Sequence, residues 1–209
     1  RTLYDYVTEL SNGYLNATKD RTYCGGKGSR ERLSAQTVWA HILTMLVHDL
    51  QPILAYTTDE IMEFLPESMR DGQKYAALLD WYENPVSSEV YAKYLPAYKA
   101  LVDARAAFTK SYEEATTNGT VTEKTTQATR AELTVGPDEY ALLGSLGRDG
   151  LAEAFVCSDV CLHEGDELSC EVLPANGEKC PRCWNWRELG EDGLCERCSA
   201  VVSALPAGE

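Results

Sequence analysis

Two C-x-x-C motifs are the residues best suited to chemistry in this sequence of 209 residues. Cys180 and Cys183 form the first motif, and Cys195 and Cys198 form the second after a spacer of eleven residues. Two such turns provide the four thiolates of a closed tetrahedral site. We therefore predict one structural Zn²⁺, with iron in the same cage or disulfides as the alternatives. No position remains for Lewis-acid catalysis, so the metal is expected to fold a segment too small for a core of its own.

The other four cysteines are predicted to be buried structural thiols. Cys24 falls in a predicted loop, Cys157 and Cys161 fall four residues apart in a predicted strand, and Cys170 falls in another strand. His163 is the only histidine near them in the sequence, and it forms no recognisable pair with a thiol nucleophile. We therefore predict no catalytic residue in this chain.

The charge of the chain argues at first against nucleic acid as a partner. The net charge is −14 and the sequence pI is near 4.6, whereas nucleic-acid-binding domains commonly have a pI above about 9. The acidic excess is uneven, because residues 86–175 alone carry −8. Residues 19–32, here called the basic loop, hold two acidic side chains and five cations, which are Lys19, Arg21, Lys27, Arg30 and Arg32. Converging cations of this kind favour phosphate binding; a solvated helix end with charge compensation is the alternative.

A second candidate RNA surface surrounds the cysteine motifs. Three arginines, Arg182, Arg187 and Arg197, accompany Trp184 and Trp186 there. Single-stranded bases stack on aromatic rings and on guanidinium planes. The alternative is that at least one tryptophan packs over the metal-binding turn.

The elements that must position these residues are predicted to be mainly helical in the first half of the chain. Residues 1–85 are predicted to form a helical bundle, because apolar residues recur at helical spacing. The predicted core stripes are Leu3, Tyr6, Val7, Leu10 and Tyr14, then Val38, Ile42, Met45, Leu46 and Leu50, then Ile61, Phe64 and Leu65. Thr57 and Glu60 have the spacing of a capping box that would begin the third helix.

The second half is predicted to change character along its length. Residues 86–119 form a helical connection, and residues 120–175 form a small α/β unit with strands at 129–135, 155–162 and 168–173 and helix at 137–150. Residues 176–209 form the metal-binding segment. No signal peptide or membrane span is found, since polar residues interrupt the most apolar stretch, 39–56. A reducing cytoplasm is the expected compartment.

Several runs of this sequence, in order, resemble bacterial isoleucyl-tRNA synthetases. The run GEKCPRCW at 177–184, followed by Cys195 and Cys198, resembles their C-terminal zinc segment. Residues 14–16, 19–21 and 32–37 resemble the first two helices of their anticodon-binding domain, and 52–61 resemble its proline and capping-box element. Residues 104–105 and 124–128 match their connecting region more loosely.

The resemblance implies the tRNA-reading part of a class I enzyme that couples ATP, isoleucine and tRNA(Ile). The family's His-Ile-Gly-His-like and Lys-Met-Ser-Lys-Ser-like motifs do not occur here, and the glycines at 25–28 are not followed by a phosphate-loop lysine. The catalytic and editing domains, with ATP and Mg²⁺, are therefore expected upstream, and this chain alone is expected to be inactive. We expect a monomer that binds tRNA(Ile) and neither DNA nor membrane.

Other classes of protein share parts of this pattern. Valine and leucine enzymes share the class I bundle, but the terminal cysteine segment favours isoleucine. A DNA repair glycosylase of the formamidopyrimidine type ends in a similar zinc finger, although its N-terminal catalytic proline is missing here. A standalone zinc-ribbon interaction module with a helical platform is the third alternative.

Overall fold

The fold of the first part of the chain is helical, as predicted. A computed structural model describes residues 1–205. Its first four helices are α1 (Thr2–Leu10), α2 (Lys19–Cys24), α3 (Arg30–Leu50) and α4 (Ala55–Phe64), with a π-helical turn at Ser11–Leu15 between the first two. The side chain of Ser29 caps α3 by accepting a hydrogen bond from the backbone N–H of Arg32. Across the described range, no helix combines the length and apolar character needed to cross a membrane.

The second part begins with a long helix that packs on a small sheet. This helix is α5 (Ser88–Thr117), and the elements after it are β1 (Thr129–Val135), α6 (Pro137–Gly144), α7 (Gly147–Phe155), β2 (Asp159–Glu164) and β3 (Ser169–Pro174). The strand order is β2-β1-β3, with β1 parallel to β2 and antiparallel to β3. The parallel pair requires a crossover, which α6 and α7 provide.

The largest hydrophobic core lies between α5, the sheet and the two crossover helices. Buried and half-buried residues alternate along β1, so one face of the sheet meets the helices. Leu133 in β1 is fully buried, and the rings of Phe108 in α5 and Phe155 in α7 pack with centroids 5.1 Å apart. We call residues 120–175 the α/β unit.

The last region, here called the cysteine segment (residues 176–205), contains little regular structure. Its elements are β4 (Glu178–Lys179), the antiparallel partner β5 (Trp186–Arg187), and α8 (Glu196–Ser203). The first cysteine motif forms the turn between the two strands, and the second begins α8. Residues 206–209 of the predicted segment lie outside the described range.

Several sequence predictions about packing are wrong. No residue of α1 is buried, and Leu3, Tyr6 and Val7 are 37–45% exposed. In α3 the buried residues are Ala35 and Val47 instead of the stripe through Val38. Periodicity identifies an apolar stripe but not the element that covers it. The hydrogen bonds that join this region to α5 are polar contacts: Tyr98 donates to the Glu9 carboxylate of α1, and Arg105 donates to the carbonyl of Asn12 in the π-helical turn.

Two predicted boundaries also differ. The helix α4 begins at Ala55 and has no side-chain cap, so the predicted capping box at Thr57 and Glu60 is wrong. Met62 of α4 and Leu65, which directly follows the helix, are buried beside Val47, whereas Phe64 is 81% exposed. The strand expected at 155–162 starts only at Asp159, because Phe155 ends α7 and residues 156–158 form the turn between the two elements. The strand predicted at 129–135 is confirmed.

Candidate metal centre and the adjoining basic loop

The four cysteines of the two motifs converge on one point. All four are buried, and their sulfur atoms lie within 4.8 Å of one another. The Sγ atoms of Cys183 and Cys195 are 3.8 Å apart. A tetrahedral site with metal–sulfur bonds of about 2.3 Å has sulfur–sulfur edges of about 3.8 Å, whereas a disulfide bond is about 2.05 Å long. The spacing fits one metal ion and no disulfide.

The protonation of this cluster depends on how burial and hydrogen bonds compete. Burial raises the pKa of the Cys183 and Cys195 thiols above their usual value. Burial acts on Cys180 in the same direction, but backbone N–H groups around its sulfur outweigh it and lower the pKa of Cys180 to about 6. A bound cation would favour the thiolate form at every position.

The first cysteine motif rests directly on the end of α2. The Cys24 thiol donates to the carbonyl of Arg182 at 3.4 Å, and Arg182 Nη1 donates to the carbonyl of Cys24 at 2.6 Å. The same Nη1 lies 3.5 Å from Cys198 Sγ. Arg182 thus brings positive charge to a sulfur of the cluster while it fixes the cluster against α2. Cys24 is the last residue of α2 rather than a loop residue, and it is buried as predicted.

Two neighbouring residues of α2 form ion pairs with two different regions. Asp20 accepts from Arg197 of the cysteine segment, with Nη1–Oδ2 at 2.5 Å and Nη2–Oδ1 at 2.8 Å. Arg21 donates from Nε and Nη2 to the two carboxylate oxygens of Glu153 in α7. These hydrogen bonds raise the pKa of both arginines. Both predicted RNA contacts, Arg21 and Arg197, are therefore engaged within the protein.

The remaining cations of the basic loop, unlike Arg21, form no ion pair with a carboxylate among the described residues. Lys19, Lys27 and Arg30 are exposed and belong to none of the ion pairs found among residues 1–205. Arg32 Nη1 donates to the carbonyl of Gly25 at 3.3 Å, which closes the loop from inside. A Cβ atom on Gly25 would lie 2.4 Å from the carbonyl oxygen of Arg21, so only glycine fits there.

The two tryptophans of the cysteine segment flank a lysine. Lys179 Nζ lies 5.4 Å from the ring centroid of Trp184 and 5.5 Å from that of Trp186. Trp186 is half-buried, and its backbone N–H donates to Ser158 Oγ at 2.7 Å. Trp184 is 59% exposed and has a φ of +65°, a conformation that favours glycine. Arg187 Nη2 lies 3.5 Å from an exposed carboxylate oxygen of Asp149.

Sequence reasoning missed the partners that join these regions. It did not single out Lys179, although this residue directly precedes the first cysteine, or Asp20, which lies between two predicted RNA contacts. Glu153 and Ser158 carry no local motif, so only the three-dimensional structure identifies their roles.

Of the four thiols outside the cluster, Cys24 and Cys157 are buried as predicted, whereas Cys161 and Cys170 are only half-buried. Burial raises the pKa of Cys157 to about 12 and that of Cys170 to about 11. Burial also raises the pKa of Cys161, which is only half-buried in β2. Raised values disfavour the reactive thiolate, in agreement with a structural role.

Comparison with known proteins identifies the relatives of this chain. The family model described as the anticodon-binding domain of tRNA ligase matches residues 1–138. Proteins named isoleucine–tRNA ligase align with nearly the whole chain: that of Symbiobacterium thermophilum is 32% identical over 98% of it, and that of Desulfovibrio desulfuricans is 34% identical over 98%. The Neisseria gonorrhoeae protein is 31% identical over 93%. The chain spans 21–24% of the length of these three relatives and aligns with their C-terminal part.

Proposed function

Because the chain belongs to the family of the anticodon-binding domain of tRNA ligases, we propose that it is the part of an isoleucine–tRNA ligase that reads the anticodon of tRNA(Ile). The activation of isoleucine with ATP and Mg²⁺ and the editing of errors would be carried out by other parts of such an enzyme in the cytoplasm. The single observation that carries this proposal is the contact between the basic loop and the cysteine segment. That contact joins the two surfaces that the sequence had suggested separately.

The basic loop would provide the phosphate contacts. Lys19, Lys27 and Arg30 are exposed and unpaired within the described range, so their charges are available to a polyanion. Each phosphate that they neutralise releases counterions, which makes binding fall as salt rises. Arg32 would act from inside the loop by holding its shape through the Gly25 carbonyl.

The cysteine segment would provide a base-stacking platform. Trp184 is exposed, and its backbone has a left-handed conformation. This conformation costs a residue with a side chain about 1–2 kcal/mol relative to the usual right-handed one. Strain of this kind is frequent at binding sites. A stacked base is worth about 1–3 kcal/mol, which is enough to justify that cost. Trp186 and Arg187 are half-buried and would form the less accessible part of this platform. Lys179 lies beside the rings of Trp184 and Trp186.

The metal in the cysteine cluster is proposed to be Zn²⁺. Cys180, Cys183, Cys195 and Cys198 would hold it, and four buried thiols at tetrahedral spacing are the donor set that structural zinc prefers. When bound, the ion supplies cross-linking of the segment and no reactive position. Purified protein should contain one zinc per chain by elemental analysis; clearly less than one, or iron in its place, would contradict this assignment.

The acidic character of the rest of the chain is compatible with this role. Residues 86–175 carry −8, more than half of the total of −14. A negative remainder repels RNA that does not match the contact surface. The charge would then favour selectivity over general affinity for nucleic acid.

A binding titration with matched RNAs tests the proposal. The 209-residue chain should bind tRNA(Ile) in a salt-dependent manner, and replacing the anticodon of the same tRNA should weaken binding by about tenfold or more, since each lost base contact costs about 1–3 kcal/mol. The variant Lys27→Ala should lower both the affinity and its salt dependence, whereas Lys110→Ala, an exposed lysine on α5, should change neither.

Three outcomes would contradict the proposal. Equal affinity for both anticodons would remove the reading function. A preference for duplex DNA with an abasic site would favour a repair protein, and indifference to nucleic acid would favour an interaction module.

A further inference from the structure

The dipeptide Asp20-Arg21 in α2 joins three regions of the chain at one point. Asp20 pairs with Arg197 of the cysteine segment through two hydrogen bonds, and Arg21 pairs with Glu153 of the α/β unit through two more. The other two regions also contact each other, since Ser158 Oγ accepts from the backbone N–H of Trp186. The contacts therefore close a triangle, which resists rotation better than any single contact.

The geometry of both ion pairs restricts the relative orientation of the elements that they join. A guanidinium group that donates two parallel hydrogen bonds to a carboxylate restricts orientation as well as distance. The side chains are partly shielded from water: those of Arg21 and Glu153 are 28% and 18% exposed, and those of Arg197 and Asp20 are 40% and 23% exposed. Reciprocal hydrogen bonds between Arg182 and Cys24 support the same contact.

We propose that Asp20, Arg21 and Arg197 are positioning residues that set the basic loop against the stacking platform of Trp184, and that they do not themselves bind RNA. This inference rests on the proposed tRNA-binding function and refines the set of contacts that the sequence suggested. A rigid pair of contact surfaces binds more tightly than two loosely connected ones, because less freedom is lost on binding. Breaking the pair should therefore weaken RNA binding even when the change adds positive charge.

Reciprocal charge reversal separates positioning from direct contact. The variant Asp20→Arg adds positive charge within the basic loop, so a purely electrostatic surface would bind tRNA more tightly. Positioning predicts the opposite: Asp20→Arg and Arg197→Asp should each weaken binding about tenfold, and the double variant should recover to within about threefold of the parent. Zinc content and melting temperature, measured on each variant, should stay close to the parent values.

The charge-preserving variant Arg197→Lys provides a second comparison. Lysine keeps the charge but cannot donate the paired hydrogen bonds. Positioning predicts a loss of several-fold in tRNA affinity with an unchanged salt dependence. Binding by Arg197→Lys equal to that of the parent would overturn the inference, as would tighter binding by Asp20→Arg.

A measurement without RNA keeps this inference distinct from the proposed function. Cys24 is buried where α2 meets the cysteine segment, so its alkylation rate, read by peptide mass mapping, reports whether the contact is closed. Each single reversal should raise the rate at least about fivefold, and the double variant should restore it. If the parent fails to bind tRNA but this alkylation pattern holds, the proposed function is wrong and the positioning role of these residues is supported. If the alkylation rate of Cys24 is unchanged in the single variants, the positioning role is wrong, regardless of the tRNA affinities.

Discussion

The α/β unit and the cysteine segment lie side by side but are stabilised in different ways. The α/β unit surrounds Leu133, Leu143 and Leu151 with other apolar side chains in a shared core with α5. Within residues 176–205, the buried side chains are the four cysteines of the cluster and Asn185. The first region can therefore remain folded through the hydrophobic effect. The second has no comparable apolar core among its described residues and would depend on a metal held by the four cysteines. The proposed tRNA-binding surface lies where the cysteine segment meets the basic loop.

Removing the metal should separate the two regions most clearly. With a chelator or with Cys180→Ser, we expect amide protons of residues 178–203 to lose protection from hydrogen exchange while those of 129–174 keep it. Structural zinc contributes about 10 kcal/mol or more to small domains, and the α/β core contains none of the ligands. Cys161→Ser, outside the cluster, is the matched control; a cysteine segment that stays protected without metal would refute the distinction.

A substitution that creates a cavity in the core of the α/β unit should destabilise that unit and leave the metal of the cysteine segment in place. Leu133→Ala removes a fully buried side chain and should lower the free energy of unfolding by about 2–5 kcal/mol, measured by urea titration. Zinc content should stay at one per chain. The exposed Leu168→Ala should change stability little, and loss of zinc from Leu133→Ala would show that the regions are not independent.

The exposed tryptophan of the cysteine segment should matter for binding and not for stability. Trp184→Gly removes the stacking ring and relieves the left-handed backbone at φ +65°. We expect tRNA affinity to fall by about 1–3 kcal/mol, while the melting temperature stays the same or rises. Trp81→Gly, at an exposed tryptophan outside both regions, should leave affinity unchanged; a similar loss there would mean that the effect is not stacking.

As the pH falls, acid should affect the cysteine segment before the α/β unit. Protons compete with zinc for the thiolates, so the cysteine segment should release its metal first as the pH falls. In the α/β unit, the hydrogen bonds from Arg148 lower the pKa of Asp159. A lowered pKa in the folded state contributes stability above the unfolded value of about 3.9 and loses it as the pH falls through the folded value.

The acid effect in the α/β unit should be the smallest of these changes, because Arg148 is 64% exposed. Unfolding midpoints in urea between pH 3 and pH 7 should fall less steeply with acid in Asp159→Asn than in the parent. Identical pH profiles would mean that this ion pair contributes nothing to stability.

The two regions also differ in how far the sequence alone predicted them. The cluster was predictable because the spacing of two C-x-x-C motifs determines which thiols can converge on one point. The four cysteines of the two motifs lie together as expected. The strand at 129–135 was predictable from its β-branched residues. The exposure of Leu3 and Val7 was not, because an apolar stripe does not reveal which element covers it. The roles of Arg21 and Arg197 were not predictable either, since their partners Glu153 and Asp20 are distant in sequence.

Hydrogen exchange of the zinc-loaded chain with and without tRNA(Ile) tests the central claim most directly. We predict that bound tRNA slows exchange in residues 19–32 and 179–187 together, while the strands at 129–135 and 159–164 are unaffected. Protection confined to the α/β unit, or to one of the two predicted surfaces without the other, would contradict the account.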